Sequence, residues 1–330
     1  MRFTRSTCRA FAAVVLAAST VPAFAIDPAQ PTSSEGGPPL LLTKSATSGN
    51  QNGFVGNYRK GDRKDAEAEF PASVDSREAM KALAASMQPQ RPAADEGAIL
   101  PKSVVGSDRR VRLYGNESYP YRAIGMITYN ADGTGQGCTG FLVSPNTVIT
   151  AGHCVHSGGP AGAWKDRANM RFYPGRNGAS SPFGSCTVKQ LHSIAGWSSQ
   201  GNRDYDIGAL KLNCTIGNTT GWFGRYWETA SQVGRPVMVS GYPCDKAAGT
   251  HWGAYGPVAQ SLTRRTFYRM DTFDCESGSP VYEADREGAF CTGACVSSIH
   301  TTGANSSGFN GATRITEANS NFIQGWINLP

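Results

Sequence analysis

The chain has 330 residues, of which 31 are Lys or Arg and 25 are Asp or Glu, so its formal net charge is +6. This excess of positive charge is small and no Lys/Arg run concentrates it, which argues against nucleic acid as a partner. The apolar run near the start is too short to span a bilayer, and no other segment is apolar enough. We therefore expect neither a nucleic-acid partner nor a membrane partner.

The first 25 residues have the pattern of a secretory signal peptide. Three arginines make a basic start, Ala10–Ala18 is an apolar run, and Ala23-Phe24-Ala25 fits the small-x-small cleavage rule. The alternative is a membrane anchor, but the apolar run is too short to cross a bilayer. We expect cleavage after Ala25 and secretion of the protein to the extracellular space.

Residues 26–102 differ in composition from the rest of the chain. They are rich in Pro, Ala, Ser, Gly and charge, and stretches such as "PAQPTSSEGGPP" cannot bury enough apolar surface to offset the entropy of ordering. We interpret them as a largely disordered propeptide, which would be an intramolecular partner of the mature protein. A flexible linker is the alternative.

Residues 103–330 contain short β-rich stretches such as "AIGMITYN", "DIGALKL" and "RPVMVSGYP", separated by Gly, Asn, Ser and Pro. This pattern indicates an all-β barrel or sandwich. The segment has 330 − 102 = 228 residues, enough for two small barrels, and its charge is 19 Lys and Arg minus 15 Asp and Glu, or +4. That charge is diffuse, as expected for a solvated surface.

Eight of the nine cysteines lie in this second part, because Cys8 would leave with the signal peptide. An even number of cysteines in an exported chain indicates disulfides. A zinc site is the alternative, but no cysteine pair has zinc-finger spacing with matching histidines, so we expect no metal and no cofactor. The eight are Cys138, Cys154, Cys186, Cys214, Cys244, Cys275, Cys291 and Cys295.

Three short motifs together suggest nucleophilic catalysis. "TAGHCV" places His153 after an apolar run, "NRDYDIGALKL" places Asp206 before another, and "CESGSP" places Ser277 in a turn. A serine hydroxyl needs a neighbouring base, and a histidine base needs a carboxylate on its other ring nitrogen. Each motif is weak by itself, but together, in this chain order, they point to a catalytic triad.

Residues 103–330 resemble the bacterial glutamyl endopeptidases, the V8-like branch of the chymotrypsin-fold serine proteases. The matching stretches include "SVVGSDRRVRL", "CTGFLVSPNTVITAGHCV", "YDIGALKL", "MDTFDCESGSPVYE" and "SSIHTTGANSSGFNGATRI". The resemblance implies two antiparallel six-stranded β-barrels, over about 103–215 and 216–330, with the active site in the cleft between them. It also implies a serine endopeptidase that acts on proteins or peptides, and we expect a monomer.

The resemblance implies roles for the motif residues. His153 would be the general base, Asp206 the carboxylate that orients it and Ser277 the nucleophile. Asp204 is a nearby competitor, but the family has its acid directly before an apolar-Gly-Ala run, which favours Asp206. The backbone N–H groups of Cys275 and Ser277 would form the oxyanion hole.

The sequence departs from the family pattern just before the serine. The family has Gly-Gly and then Asn or Gln, whereas this chain has Asp274-Cys275-Glu276. Glycine tolerates unusual φ angles better than cysteine, so the loop geometry is in question. Cys244 also stands where the family commonly has Gly, and the two unusual cysteines suggest one disulfide. The alternative is a free catalytic thiol at Cys275.

With the resemblance in place, we predict four disulfides. The first joins the strand before "GFLV" to the turn of the expected base, and the last closes the short loop in "FCTGACV". The pairs are Cys138–Cys154, Cys186–Cys214, Cys244–Cys275 and Cys291–Cys295.

The resemblance also implies substrate-binding residues. His300 in "SSIHTTG" and Thr272 in "MDTFD" match the residues that hold the substrate glutamate in this family. The mature chain would start at Ser103 after cleavage of Lys102–Ser103, which would place its new α-amino group near the same pocket. The alternatives are a structural histidine and an ordinary strand hydroxyl.

The leading hypothesis is therefore a secreted, propeptide-regulated serine endopeptidase that cleaves after Glu, and less readily after Asp. One alternative is a protease-fold protein that has lost activity and acts as a binding protein, which the altered loop favours and the intact triad opposes. Another is an active serine protease with a different specificity.

Overall fold

The structure is a computed structural model that describes residues 27–35, 53–54, 104–289 and 291–330. The expected signal peptide and the expected cleavage bond Lys102–Ser103 lie outside these residues, as does most of the expected propeptide. Fifteen strands are numbered here in chain order. They are β1 Pro31–Ser33, β2 Val111–Arg112, β3 Ile124–Thr128, β4 Gln136–Leu142, β5 Thr147–Thr150, β6 Arg171–Pro174, β7 Cys186–Ile194, β8 Gly208–Leu212, β9 Gly224–Arg225, β10 Pro236–Gly241, β11 Trp252–Ser261, β12 Arg265–Tyr268, β13 Pro280–Arg286, β14 Gly293–Thr302 and β15 Asn310–Arg314.

The N-terminal barrel is formed by β3 to β8. Its antiparallel strands follow the order β7-β6-β3-β4-β5-β8, and pairing of β7 with β8 closes the barrel. Its strands β3 and β5 are rich in apolar and β-branched residues, and every residue of these two strands is buried. The expected N-terminal six-stranded barrel is confirmed.

The C-terminal barrel is formed by β10 to β15 in the order β10-β13-β14-β15-β12-β11, and pairing of β10 with β11 closes it. Two short strands lie outside this ring, since β2 pairs with β11 and β9 runs parallel to β14. The predicted all-β fold with two antiparallel six-stranded barrels is therefore correct.

Each barrel receives a segment from the opposite end of the chain. The segment before the N-terminal barrel joins the C-terminal barrel through β2. Three helices are described, α1 Ala195–Ser198, α2 Gly217–Thr220 and α3 Glu317–Asn328. The C-terminal helix α3 returns to the N-terminal barrel, where Lys211 Nζ donates to the carbonyls of Trp326 at 3.1 Å and Ile327 at 3.0 Å.

The largest apolar core cluster is shared between the barrels. Ile124 and Phe141 from the first barrel and Tyr282 and Val296 from the second belong to it, together with Trp326 of α3. Burial of this common apolar surface holds the barrels together, at about 25 cal/mol for each Å² removed from water. The cleft between the barrels is therefore a consequence of their packing.

All four predicted disulfide pairs are present. They are Cys138–Cys154, Cys186–Cys214, Cys244–Cys275 and Cys291–Cys295. In the described part of the chain no helix is both long enough and apolar enough to cross a membrane.

His251 is completely buried between aromatic rings. Its ring stacks on Tyr242 at 4.9 Å between centroids, and neither ring nitrogen has a hydrogen-bond partner among the described residues. Burial disfavours the charged imidazolium and lowers the pKa of His251 from 6.5 to about 3. This histidine therefore opposes folding in acid, because the unfolded chain takes up the proton first.

We expect His251→Phe to reduce the acid sensitivity of the protein. Because the pKa of His251 is lower in the folded protein than in the unfolded chain, the neutral ring favours folding fully above pH 6.5. This contribution to the free energy of unfolding is lost as the pH falls toward 3, since the unfolded chain then binds a proton that the folded protein does not. Between pH 7 and pH 4 the wild type should lose roughly 2–3 kcal/mol through this residue, and the variant should not. Urea unfolding at both pH values measures this difference.

His192→Phe is the matched comparison. His192 is also buried, but its pKa is lowered only to about 4, so the variant should recover less stability in acid. Equal acid sensitivity of wild type and His251→Phe would contradict the prediction.

Candidate active site

A histidine and a buried aspartate form a hydrogen-bonded pair at the edge of the N-terminal barrel. His153 lies in the turn Gly152–Cys154 after β5, and Asp206 lies two residues before β8, the strand that pairs with β5. Asp206 Oδ2 lies 2.8 Å from His153 Nδ1, and Asp206 Oδ1 accepts the His153 backbone N–H at 2.9 Å. The two carboxylate oxygens thus fix both the ring and the backbone of His153.

Asp206, rather than Asp204, makes this contact. Asp206 is 2% exposed, and the backbone N–H of Asp204 is bound by Asn202 Oδ1 at 3.0 Å at the start of the preceding turn. Burial lowers the pKa of His153, but the negative charge and hydrogen bond of Asp206 outweigh burial, so its pKa is raised above 6.5. The pair therefore has the electrostatics of a general base that can carry a proton during a reaction.

Ser277 lies against the turn that carries His153. Its carbonyl accepts the backbone N–H of Thr139 on β4 at 2.9 Å, and Cys154 Sγ is 3.6 Å from the same carbonyl. Because Cys154 follows His153 directly, these contacts bring the serine of one barrel next to the histidine of the other.

Gly278 makes this close approach possible. A Cβ at this position would collide with the carbonyl oxygen of Thr139 and the hydroxyl of Thr150, and its φ of +91° favours glycine. Its N–H donates to the His300 carbonyl at 2.7 Å. The glycine of "ESGSP" thus lets residues 271–279, called the serine loop below, lie between the two barrels.

Cys275 has a positive φ, the kind of backbone conformation that glycine tolerates better than cysteine. It is the one described non-glycine residue with a positive φ, at 76°. Thr139 Oγ1 donates to its carbonyl at 3.0 Å, and the disulfide to Cys244 ties its side chain. Cys275 is therefore bridged in the structure, and the surroundings hold a conformation that costs of order 1–3 kcal/mol for a residue with a side chain.

His300 and the serine loop are hydrogen-bonded neighbours. The His300 N–H donates to the Ser279 carbonyl at 2.9 Å, in addition to the bond from Gly278 to the His300 carbonyl. The ring is 3% exposed, and its Nδ1 lies 2.7 Å from Tyr268 Oη. Burial lowers the pKa of His300 to about 3, and the nearby His153 and Arg265 act in the same direction.

Thr272 is fully buried, and its hydroxyl has no hydrogen-bond partner among the described residues. Ser103 lies outside the described residues, but the segment that follows it reaches the neighbour of Thr272. Asp271 accepts the backbone N–H groups of Val105 at 2.8 Å and Arg109 at 2.9 Å. The segment after Ser103 is therefore attached close to Thr272.

Sequence reasoning missed several residues that shape this site. Tyr268 contacts His300, Thr139 holds the serine loop, and Arg110 contacts Glu276 Oε2 at 3.3 Å. Each of these pairs is separated by more than 30 residues in the chain, so no local pattern signals them.

The described residues contain one group of side chains close enough to share a metal ion, Cys138, His153 and Cys154. The two cysteines of this group are joined to each other as a disulfide. Metal ligation by cysteine uses the thiolate, which a disulfide does not offer. This leaves His153 as the one ligand in the group.

The double barrel and a histidine–aspartate pair beside a Gly-bounded serine define the class of the protein, a serine endopeptidase of the chymotrypsin fold. The Trypsin family model matches residues 114–317, and the chain belongs to this family.

Two bacterial relatives extend the comparison. A glutamyl endopeptidase of Bacillus licheniformis is 43% identical over 228 residues, covering 69% of this chain and 70% of the relative. A Bacillus subtilis protein named extracellular metalloprotease is 42% identical over 231 residues, covering 69% of this chain and 71% of the relative.

A solved structure of a related enzyme also matches the fold of this chain. A Glu endopeptidase in complex with MPD matches with a TM-score of 0.61 and 28% identity, covering 68% of this chain and 100% of that one. The resemblance to glutamyl endopeptidases drawn from the sequence is confirmed.

We expect Ser277→Ala to abolish proteolysis, with a loss of at least about 10³-fold in kcat, because the hydroxyl would be the attacking atom. Ser279→Ala is the matched control, since Ser279 lies two residues away in the same loop, and it should keep most of the activity. Hydrolysis of a peptide substrate measures both variants. Loss of activity in Ser279→Ala with none in Ser277→Ala would show that the other serine is the nucleophile.

Proposed function

We propose that this protein is a secreted serine endopeptidase, made as a zymogen, that cleaves peptide bonds after Glu and less readily after Asp. The observation that carries the proposal is the pairing of the serine loop with the strand of His300, through bonds of 2.7 and 2.9 Å. This pairing puts a buried histidine beside the serine that would attack the substrate.

The proposed chemistry is acyl transfer. Ser277 attacks the peptide carbonyl while His153 takes its proton, and His153 then gives that proton to the leaving amine. A water molecule repeats the cycle on the acyl-enzyme and releases the new carboxyl end. Asp206 stabilises the imidazolium that forms in each half, and the backbone N–H groups of Cys275 and Ser277 would bind the oxyanion.

The preference for Glu rests on groups that can hold a buried carboxylate. An unpaired carboxylate is costly to remove from water, so a pocket that takes Glu needs hydrogen-bond donors. The buried ring of His300 and the unpartnered hydroxyl of Thr272 are two such donors beside the serine loop. A neutral histidine is less costly to bury than a lysine.

Tyr268 supports the donor role of His300. When its hydroxyl donates to Nδ1, the neutral ring carries its proton on Nε2, which can then donate to a carboxylate.

Zymogen formation is supported by two described pieces of the expected propeptide that lie on the N-terminal barrel. Strand β1 adds to β7, and α1 donates from the N–H groups of Ala195 to Gln30 at 2.6 Å and of Gly196 to Pro28 at 2.7 Å. The next residue of α1, Trp197, has its ring 6.0 Å from that of His153.

The second piece is Phe54, whose ring lies 4.5 Å from that of Trp222 and whose N–H donates to the Trp222 carbonyl at 2.8 Å. Secretion is supported by the signal-peptide pattern and by the four disulfides, which persist in oxidising compartments.

We expect His300→Ala to lower kcat/KM for a Glu substrate by roughly tenfold to a hundredfold, with little change for the matched Gln substrate. The carboxylate would lose a charge-assisted hydrogen bond while remaining buried, which costs on the order of 1–3 kcal/mol. Peptides that differ only in Glu or Gln before the cleaved bond measure the ratio.

Thr272→Val should lower the same ratio by less, because a neutral hydroxyl donates a weaker bond. An unchanged Glu-to-Gln ratio in His300→Ala would show that His300 does not determine specificity. A wild type with no Glu preference would leave a serine protease of another specificity.

We also expect the active secreted form to begin at Ser103. The segment that follows is bonded to Asp271, next to Thr272, so cleavage before Ser103 would free an α-amino group close to the proposed pocket. Edman sequencing of the active form identifies its first residue. Full activity of a chain that retains residues 26–102 would contradict the zymogen proposal.

A further inference from the structure

The side chain of Arg110 is fully buried and contacts three carboxylates. Its Nη2 lies 2.8 Å from Asp108 Oδ2 and 2.5 Å from Asp245 Oδ2, and its Nη1 lies 3.3 Å from Glu276 Oε2. Asp108 belongs to the same segment as Arg110, whereas Asp245 and Glu276 come from two separate loops of the C-terminal barrel. A buried guanidinium with several planar partners is held in one geometry.

The two loops that Arg110 joins are also joined covalently. Asp245 follows Cys244 and Glu276 follows Cys275, and these cysteines form a disulfide. The N–H of Cys244 also donates to the Asp274 carbonyl at 2.9 Å. The two loops are therefore connected by a disulfide and, at the next residue of each loop, by a shared contact with Arg110.

Glu276 closes the turn that leads to the serine. Its Oε2 accepts the backbone N–H of Phe273 at 2.7 Å, and its own N–H donates to the Phe273 carbonyl at 3.1 Å. This turn contains Cys275 with its φ of 76°. The carboxylate oxygen that shapes the turn is the same atom that Arg110 contacts.

The segment that carries Arg110 contacts the serine loop at two points. At the start of the loop, Asp271 accepts the N–H groups of Val105 and Arg109. Next to Ser277, Glu276 Oε2 accepts a hydrogen bond from Arg110 Nη1. The loop is therefore held between two anchors that lie within six residues of one another in the chain.

The burial of Glu276 makes it dependent on this partner. The side chain is 1% exposed, and burial raises the pKa of Glu276, while the charge and hydrogen bond of Arg110 act against this rise. A buried carboxylate that loses its cation must take up a proton or move toward water. Movement of Glu276 would release the Phe273 turn.

We propose that Arg110 is a positioning residue for the oxyanion hole, which acts by holding the Glu276 carboxylate and thereby the turn from Phe273 to Ser277. The inference rests on the proposed serine protease mechanism. Arg110 contacts no reacting atom. It would act on the rate through the turn, which directs the N–H groups of Cys275 and Ser277 toward the negative charge that develops in the transition state.

The test is Arg110→Met, with Arg112→Met as the matched control. Arg112 is two residues away on β2 and lies over the Tyr114 ring, 4.8 Å from its centroid, and its Nη2 lies 3.5 Å from Asn177 Oδ1. Arg110→Met should lower kcat by about tenfold to a hundredfold with KM within about threefold, since the lost interaction belongs to the transition state. Arg112→Met should keep kcat within about threefold of wild type.

Two further readouts separate positioning from a general loss of structure. Binding of a peptide aldehyde, which forms a tetrahedral adduct with the serine, should weaken by the same factor as kcat, while binding of the product acid should not change. Adding Glu276→Gln to Arg110→Met should restore kcat to within about threefold of wild type, because a neutral amide can accept the Phe273 N–H without a cation.

A second pair of variants covers the case in which Arg110→Met does not fold. Glu276→Ala should lower kcat by about tenfold or more relative to Glu276→Gln, because alanine removes the acceptor of the Phe273 N–H whereas glutamine keeps one. An unchanged kcat in Arg110→Met, a loss confined to KM, or equal activity of the two Glu276 variants would overturn the inference. A wild-type protein that hydrolyses no peptide would instead overturn the proposed function.

Discussion

The site depends on how one threonine of the N-terminal barrel holds the serine loop of the C-terminal barrel. Thr139 donates from its backbone N–H to the Ser277 carbonyl and from its hydroxyl to the Cys275 carbonyl, at 2.9 and 3.0 Å. Its hydroxyl oxygen also accepts the N–H of Tyr242 at 3.0 Å. Both barrels must therefore be complete and packed together before the serine loop takes this position.

The departure from the family pattern before the serine is compensated locally. A residue with a side chain occupies a backbone conformation that suits glycine, and the adjacent carboxylate is buried. The Cys244–Cys275 disulfide restrains the first, and the Arg110 guanidinium contacts the second. Strained or buried groups of this kind persist when the surrounding structure over-determines them, which is why the unusual sequence is compatible with an ordered loop.

The two histidines of the site lie in different environments, which shift their pKa values in opposite directions. His153 faces a carboxylate, so its pKa is raised, whereas His300 is buried beside a tyrosine hydroxyl, so its pKa is lowered to about 3. One ring is suited to take up a proton and the other to remain a neutral donor. A neighbouring carboxylate raises the pKa of one histidine, and burial lowers that of the other.

The sequence by itself determined the double-barrel fold and the disulfide pairs, and it singled out His153, Asp206 and Ser277 as the proposed triad, because these follow from local motifs and from a family resemblance that spans the motifs. The tertiary structure alone decided which distant groups meet, such as Tyr268 with His300 and Arg110 with Glu276. The physical reason is that such contacts are set by barrel closure and by the packing of buried charges. Neither leaves a periodic or local signal in the chain.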